Sequence, residues 1–232
     1  MLFFLFLFGL SVGSFLNVLI DRLPKDESIL GRSHCDHCNH KLSWYDLIPL
    51  LSFVFLQRQC RYCHKKISWQ YPLVEFITGI LFVFTYTSVI QITKAELFLP
   101  TLVFYSLVIS GLITIFFTDF KYRIIPDQII AFLSFASIVY LIFYQRQDFF
   151  NHFISALVLF LTFLFLVVIT RGKGMGVGDV KFAFAIGMIL GFPEVLAAFY
   201  LSFLTGAVIS LILVIRGKKT MKSTIPFGPF LA

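Results

Sequence analysis

Long apolar runs separated by short polar breaks dominate the chain. The first is residues 1–20, MLFFLFLFGLSVGSFLNVLI, and others cover roughly 73–92, 98–118, 127–144, 152–170 and 194–215, with a shorter piece at 180–192. A hydrocarbon layer about 30 Å thick needs a helix of about 20 residues rising 1.5 Å each. Each full run therefore predicts a membrane-spanning helix. The 180–192 piece is short for that, and Gly187, Gly191 and Pro193 weaken it as a lipid-facing helix, so it is expected to be buried in protein or to line a cavity. Residues 1–20 lack a basic leading segment and a small-residue cleavage site, which makes them an uncleaved span rather than a signal peptide. The long polar stretch, 21–72, predicts a small domain outside the membrane. The expected organisation is a first transmembrane helix at 1–20, a cysteine-rich domain at 21–72 and a membrane domain at 73–232. No internal repeat stands out.

Composition sharpens this picture. The chain of 232 residues is 59% apolar and 13% charged, with a mean hydropathy of +0.91, against about 45–50% and about 25% in soluble proteins. A soluble domain is excluded, and membrane lipid is the expected surrounding. The 31 phenylalanines read as lipid-facing bulk. The net charge of +7 would suggest nucleic acid in a soluble protein, but in a membrane protein basic residues mark cytoplasmic loops, and no nucleic-acid partner is expected. With 21–72 in the cytoplasm, that side carries eight Lys/Arg from this stretch. It also carries Lys121, Arg123, Arg171, Lys173, Lys181, Arg216, Lys218, Lys219 and Lys222, seventeen of nineteen in all. Lys94 and Arg146 face the other side, and the N-terminus lies outside. Residues 225–232, IPFGPFLA, read as the start of a further span, so that the sequence stops before its final crossing. The expected fold is an all-α polytopic membrane bundle of about seven to eight spans with a small cytoplasmic insert.

Cysteine spacing gives that insert a chemistry. Cys35-x2-Cys38 and Cys60-x2-Cys63, separated by 21 residues, can place four thiolates in a tetrahedron around Zn²⁺. Free thiols or two disulfides are the alternative, which a reducing cytoplasm disfavours for disulfides. Four cysteine ligands make a closed and therefore structural site, folding a segment too small to build a core. His34, His37, His40 and His64 lie nearby and are expected to be solvent-exposed.

Carboxylates near the membrane are costly and by default functional. Asp119 ends the 98–118 run, Asp127 closes the motif Asp-Phe-Lys-Tyr-Arg-Ile-Ile-Pro-Asp, and Asp179 follows Gly174, Gly176 and Gly178. All three fall at the cytoplasmic ends of their spans and can meet. Asp127 follows Pro126 in the first turn of a helix, where helix capping explains it. Asp119 stands at a helix C-terminus, the wrong end for an anion. Asp179 could cap a helix N-terminus, yet the glycines before it clear side chains from one approach and would let a peptide backbone come close.

These motifs resemble those of the bacterial type IV prepilin peptidases, a family of membrane aspartic peptidases. The resemblance covers nearly the whole chain: Gly13-Ser-Phe-Leu-Asn-Val18, the two cysteine pairs, Ile48-Pro-Leu-Leu-Ser52, Tyr71-Pro-Leu-Val-Glu75, the Asp119 to Pro126-Asp127 motif, Gly176-Val-Gly-Asp179 and Pro226-Phe-Gly-Pro229. It implies that Asp119 and Asp179 are the catalytic pair, with Gly176, Gly178, Pro126 and Asp127 in support. It implies cleavage at the cytoplasmic face of prepilins, or of type II secretion or competence pseudopilins, after a short basic leader ending in Gly. It also implies N-methylation of the new N-terminus from S-adenosylmethionine in many members, a role associated with the cysteine-bearing region. Methylation rests on the resemblance alone. Family members continue past Pro226-Phe-Gly-Pro229 through a final span.

The expected localisation is the inner membrane, and the expected mechanism has two carboxylates sharing one proton. Lys121, Arg123, Lys173 and Lys181 are expected near the site without a role in binding the basic leader. A proton- or cation-coupled transporter with a zinc-binding insert is the rival, opposed by carboxylates at one face where transport needs the midplane. A non-catalytic zinc scaffold would leave Asp119 and the glycines unexplained.

Overall fold

The computed structural model describes residues 1–172, 175–217 and 226–232, so Lys173, Gly174, Lys218, Lys219, Lys222 and Ile225 lie outside the described residues. Among the described residues the chain is helical apart from turns, short 3-10 segments and two isolated bridges. The helices are α1 Leu2–Arg22, α2 Leu51–Phe55, α3 Gln70–Ile92, α4 Ala95–Tyr122, α5 Asp127–Tyr144, α6 Phe149–Thr170, α7 Val177–Leu190, α8 Glu194–Ile215 and α9 Gly228–Leu231. Six of them, α1, α3, α4, α5, α6 and α8, are long and apolar enough to cross a membrane. The fold is the expected all-helical polytopic one. By contacts it divides into two compact units, Met1–Thr114 and Ile115–Ala232.

In the first unit α1 and α3 pack backbone to backbone. A Cβ on Gly13 would stand 2.6 Å from the Glu75 Cα, and one on Gly9 would stand 2.8 Å from the Gly79 Cα. Small residues at such a crossing let membrane helices gain contact that bulkier side chains would prevent. The amide of Asn17 joins the pair, donating Nδ2 to the carbonyl oxygens of Tyr71 (3.1 Å) and Gly13 (3.3 Å). At the end of α1 Arg22 donates to the carbonyl oxygens of Ser28 and Arg32, folding the polar insert back onto the helix.

In the second unit the short helix α7 is central, with contacts to α5, α6, α8 and α9. Nine of its fourteen residues are buried, and at 1.5 Å per residue it is only about 21 Å long. That burial answers its shortness, since a helix sheathed by others need not match the hydrocarbon thickness. Gly187 makes the closest approach: a Cβ there would fall 2.3 Å from the Ala156 Cα of α6. The turn after α7 is held by Asn151, whose Nδ2 donates to the Phe192 carbonyl while its Oδ1 accepts the Phe192 N–H. Many phenylalanines are exposed as expected of lipid-facing bulk, such as Phe84, Phe135 and Phe165. A second set is not: Phe163, Phe199, Phe203 and Phe227 form a ring cluster with centroids 4.8–6.0 Å apart. This cluster fastens the segment carrying α9 onto α6 and α8.

Candidate active site

Asp119 lies in the last turn of α4. The helix ends as Arg123 turns to a φ of 57° and its N–H bonds back to the Asp119 carbonyl at 2.9 Å. The chain then runs through Ile124 and Ile125 to Pro126, which caps α5 with an extended backbone. Asp179 occupies the third position of α7. Its Oδ2 accepts the N–H of Gly176, the helix N-cap, at 3.0 Å, which satisfies one of the free donors at a helix start. Helix α7 thus begins at Val177, before the aspartate, rather than after it as the spacing suggested.

Both carboxyls are buried, Asp119 at 5% and Asp179 at 8% exposure. The Gly228 backbone N–H is directed at the Asp119 carboxyl, and the Arg123 charge acts on it as well. Asp119 is close enough to Asp179 for a direct charge interaction. Among the described residues each keeps one buried oxygen without a hydrogen-bond partner, Oδ2 of Asp119 and Oδ1 of Asp179. Buried polar atoms are rarely left so, and an orphaned one costs about 1–3 kcal/mol. A hydrogen-bond donor would satisfy each of these oxygens. Ile125 sits beside them: a Cβ on Gly178 would lie 3.4 Å from the Ile125 Cβ, and one on Gly228 would lie 3.2 Å from its Cδ1. Gly176 needs no special backbone freedom, since its φ is −83°.

Asp127, unlike this pair, is exposed. It opens α5, and its exposed carboxylate accepts from Lys181 Nζ at 2.7 Å. Lys121 lies over the Tyr122 ring, 4.9 Å from its centroid. Gly228 is the residue that motif reading did not assign a role, although Pro226-Phe-Gly-Pro229 was visible as a motif.

The cysteine insert belongs to the first unit. The four sulfurs lie within 4.8 Å of one another, with Cys35 and Cys63 Sγ 3.8 Å apart. Four ligands about 2.3 Å from one Zn²⁺ in a tetrahedron have edges of about 3.8 Å, so the donor set fits such an ion. The two knuckles are copies. In the first, the Cys35 N–H bonds to the His40 carbonyl and the Asn39 N–H to the Cys35 carbonyl; in the second, Cys60 pairs with Lys65 and His64 with Cys60 in the same way. Asn39 and His64 both take positive φ, 55° and 56°, and bridges His34–Lys41 and Gln59–Lys66 close the two loops. The chain therefore does contain a repeat, Cys-x2-Cys-x2-Lys-(Leu/Ile)-Ser-Trp, at 35–44 and 60–69. Asp46 ties the copies together, accepting from Arg61 Nε at 2.8 Å and from the Ser43 N–H at 3.2 Å. Burial pushes the Cys60 thiol up, but hydrogen bonds from the Cys63 and Tyr62 backbone and from the thiols of Cys35 and Cys63 outweigh it and bring it down to about 7. His34, His37, His40 and His64 are exposed, as expected.

An all-helical polytopic membrane protein with a buried pair of aspartates and a four-cysteine metal-binding arrangement is the class that fold and site define. Residues 7–89 match the Bacterial Peptidase A24 N-terminal domain and residues 106–211 match the Type IV leader peptidase family. Among similar proteins, a Bacillus subtilis prepilin leader peptidase/N-methyltransferase is 36% identical over all of this chain and 91% of its own length. Its namesake from Myxococcus xanthus is 34% identical over 91% of this chain and 63% of its own length, and that from Aeromonas hydrophila is 32% identical over 98% and 86%. No solved structure gives a significant match. The chain belongs to the type IV leader peptidase family. It is accordingly a peptidase, and the transporter reading finds no support. Family and six membrane-capable helices together make it a multi-pass inner-membrane protein.

Proposed function

We propose that the chain removes the leader from prepilins or pilin-like pseudopilins with Asp119 and Asp179 as its catalytic pair. The observation that carries this reading is the two buried carboxyls, with the Asp119 charge acting on Asp179 and each carboxyl keeping an oxygen that no described protein group satisfies. Two carboxylates so placed resist joint ionisation and share one proton. The ionised one takes a proton from water as it attacks the scissile carbonyl, and the other gives its proton to the carbonyl oxygen. The tetrahedral intermediate then collapses, its proton passing to the departing amine. Asp127 and Lys181 hold the starts of α5 and α7 beside this pair, and the bare backbone at Gly176 and Gly178 gives a peptide room to lie along it.

Cys35, Cys38, Cys60 and Cys63 hold one Zn²⁺ as a closed structural site. The names of the relatives support a second activity, N-methylation of the new N-terminus, for which S-adenosylmethionine supplies an activated methyl group. The distribution of Lys and Arg favours an N-terminus outside and an active site at the cytoplasmic face.

Leader removal from a pilin-like substrate by purified protein tests the dyad. Asp119→Asn and Asp179→Asn should each lower the rate by at least the roughly 10²–10⁴-fold that positioned acid–base groups contribute, at normal abundance in the membrane. Asp127→Asn should stay within about threefold, because an exposed ion pair contributes only about 0–1 kcal/mol. Substantial cleavage by either of the first two variants would exclude the pair, and loss confined to Asp127→Asn would move the chemistry there.

A further inference from the structure

Helix α2, inside the cysteine insert, follows an unusual join. Leu50 takes a φ of 59°, uncommon for a residue with a side chain, and its N–H bonds to Oε2 of Glu75 at 2.8 Å. The Ser14 side chain of α1 bonds the same carboxyl, so the start of α2 is pinned where α1 and α3 cross. Glu75 lies five residues into α3, about 7.5 Å along its axis at 1.5 Å per residue. Its neighbours on α3, Leu73 and Phe76, are exposed, as apolar side chains at lipid depth are. The surroundings of α2 are held as well: Phe53 packs on Trp69 with ring centroids 5.1 Å apart, and Arg58 lies 5.3 Å over the same ring. Helix α2 is thereby fixed beside the first turns of a span.

The two faces of α2 differ in what covers them. Ser52 and Phe53, with Leu56 just beyond the helix, face inward and line a cleft that α1 and the start of α3 also border. Leu51, Val54 and Phe55, at the i, i+3, i+4 spacing of a single helix face, are 55%, 69% and 81% exposed. Three large apolar side chains on one face of so short a helix form a patch of the kind that marks a protein or membrane contact. Charge favours the membrane. Between Asp46 and Glu75 the sequence carries Arg58, Arg61, Lys65 and Lys66 and no acidic residue, and basic residues beside a span are drawn to anionic headgroups. Trp69, exposed at the start of α3, is of the residue type enriched at that level. We propose that the outward face of α2 is a lipid contact, in which Leu51, Val54 and Phe55 enter the boundary between headgroups and acyl chains of the membrane that the chain spans. The contact holds the cysteine insert against the bilayer surface. A face meant for a soluble partner would stand clear of the span, whereas this one begins level with Leu73 and Phe76.

The chain has two tryptophans, Trp44 and Trp69, so a single fluorescent probe can be set on α2. The full chain carrying Trp44→Phe, Trp69→Phe and Phe55→Trp is reconstituted in vesicles of phosphatidylcholine and phosphatidylglycerol. Its emission should fall by about half or more when the lipids are brominated on the upper acyl chain, because an interfacial helix sits about 5–10 Å into the boundary of headgroups and chains. Aqueous iodide should leave the emission unchanged. Metal content and gel-filtration profile equal to those of the unmodified protein establish that the variant is folded. Should Phe55→Trp disturb them, Val54→Trp in the same background decides the matter by the same comparison. Quenching by iodide without quenching by bromine would place the face in water, and quenching by neither would place it against protein, a second copy of the chain included. Either result overturns the lipid contact.

Discussion

Gly228 lies against Asp119 so closely that a Cβ added to it would stand 2.7 Å from Asp119 Oδ2, the oxygen that no described residue holds by a hydrogen bond. The same glycine directs its backbone N–H at the carboxyl. Its segment is pinned by Phe227 among Phe163 and Phe203, so the backbone there is not free to retreat.

Gly228→Ala should therefore displace the Asp119 carboxyl rather than α9. A displacement of the order of 1 Å at a reacting group can cost about 10²-fold in rate. The expected outcome is a fall in kcat for leader removal of roughly ten- to a hundredfold, with KM and abundance little changed. Cleavage within twofold of the unmodified protein would mean that the carboxyl does not depend on this contact.

How much of this was legible in the sequence follows from the range of each interaction. Spans at α1, α3, α4, α5, α6 and α8 follow from the length of apolar runs, a local property, and the four-cysteine cluster follows from two short spacings. The burial of α7 was also legible, because Gly187 and Pro193 in a short apolar piece leave few other solutions. The start of α7 before Asp179 was missed, since Gly176 is a weak N-cap signal and the Asp179 carboxylate supplies the bond that a capping side chain otherwise would. Gly228 was invisible for a different reason: its contact with Asp119 joins segments far apart in sequence, and nothing in Pro-Phe-Gly-Pro names its partner. The knuckle repeat was in plain view, but comparing only the cysteines hid the shared Lys-(Leu/Ile)-Ser-Trp that follows each pair.

Metal content is the next expectation. The protein purified without chelator should hold one zinc per chain, and Cys60→Ser, which removes the buried ligand, should lower the metal content and the melting temperature together. A structural zinc contributes folding free energy directly, so prolonged chelation should expose the 21–69 insert to protease before the membrane helices. A folded protein with no bound zinc would exclude the closed site.

Two glycines offer a paired test of the packing in the second unit. Gly187→Ala places a Cβ 2.3 Å from the Ala156 Cα and 2.6 Å from its N, both backbone atoms that side-chain rotation cannot move. Helices α6 and α7 must separate, and Asp179 on α7 moves with them. Gly206→Ala meets the Phe230 ring at 3.5 Å, ordinary contact distance. The first variant should lose several degrees of melting temperature and most of its cleavage, a loss of about 1–3 kcal/mol being typical of overpacking. The second should match the unmodified protein. Equal behaviour of the two would mean that the α6–α7 contact is looser than its geometry.

Orientation in the membrane governs whether the dyad can meet its substrate, and the charge pattern makes it testable at two positions. Lys94 lies between α3 and α4 and Arg146 between α5 and α6, the breaks that carry few basic residues, whereas Arg216 follows α8 in a cluster with Lys218, Lys219 and Lys222. Basic residues near span ends are retained in the cytoplasm. Cysteines at Lys94 and Arg146 should react with an impermeant thiol reagent on intact cells, and one at Arg216 should react only after the membrane is opened. The native cysteines, which the same charge pattern assigns to the inner side, should stay silent in the intact cell. Labelling of Arg216→Cys alone from outside would invert the bundle and carry Asp119, at the end of α4, and Asp179, at the start of α7, away from the cytoplasm where leader-bearing precursors are made.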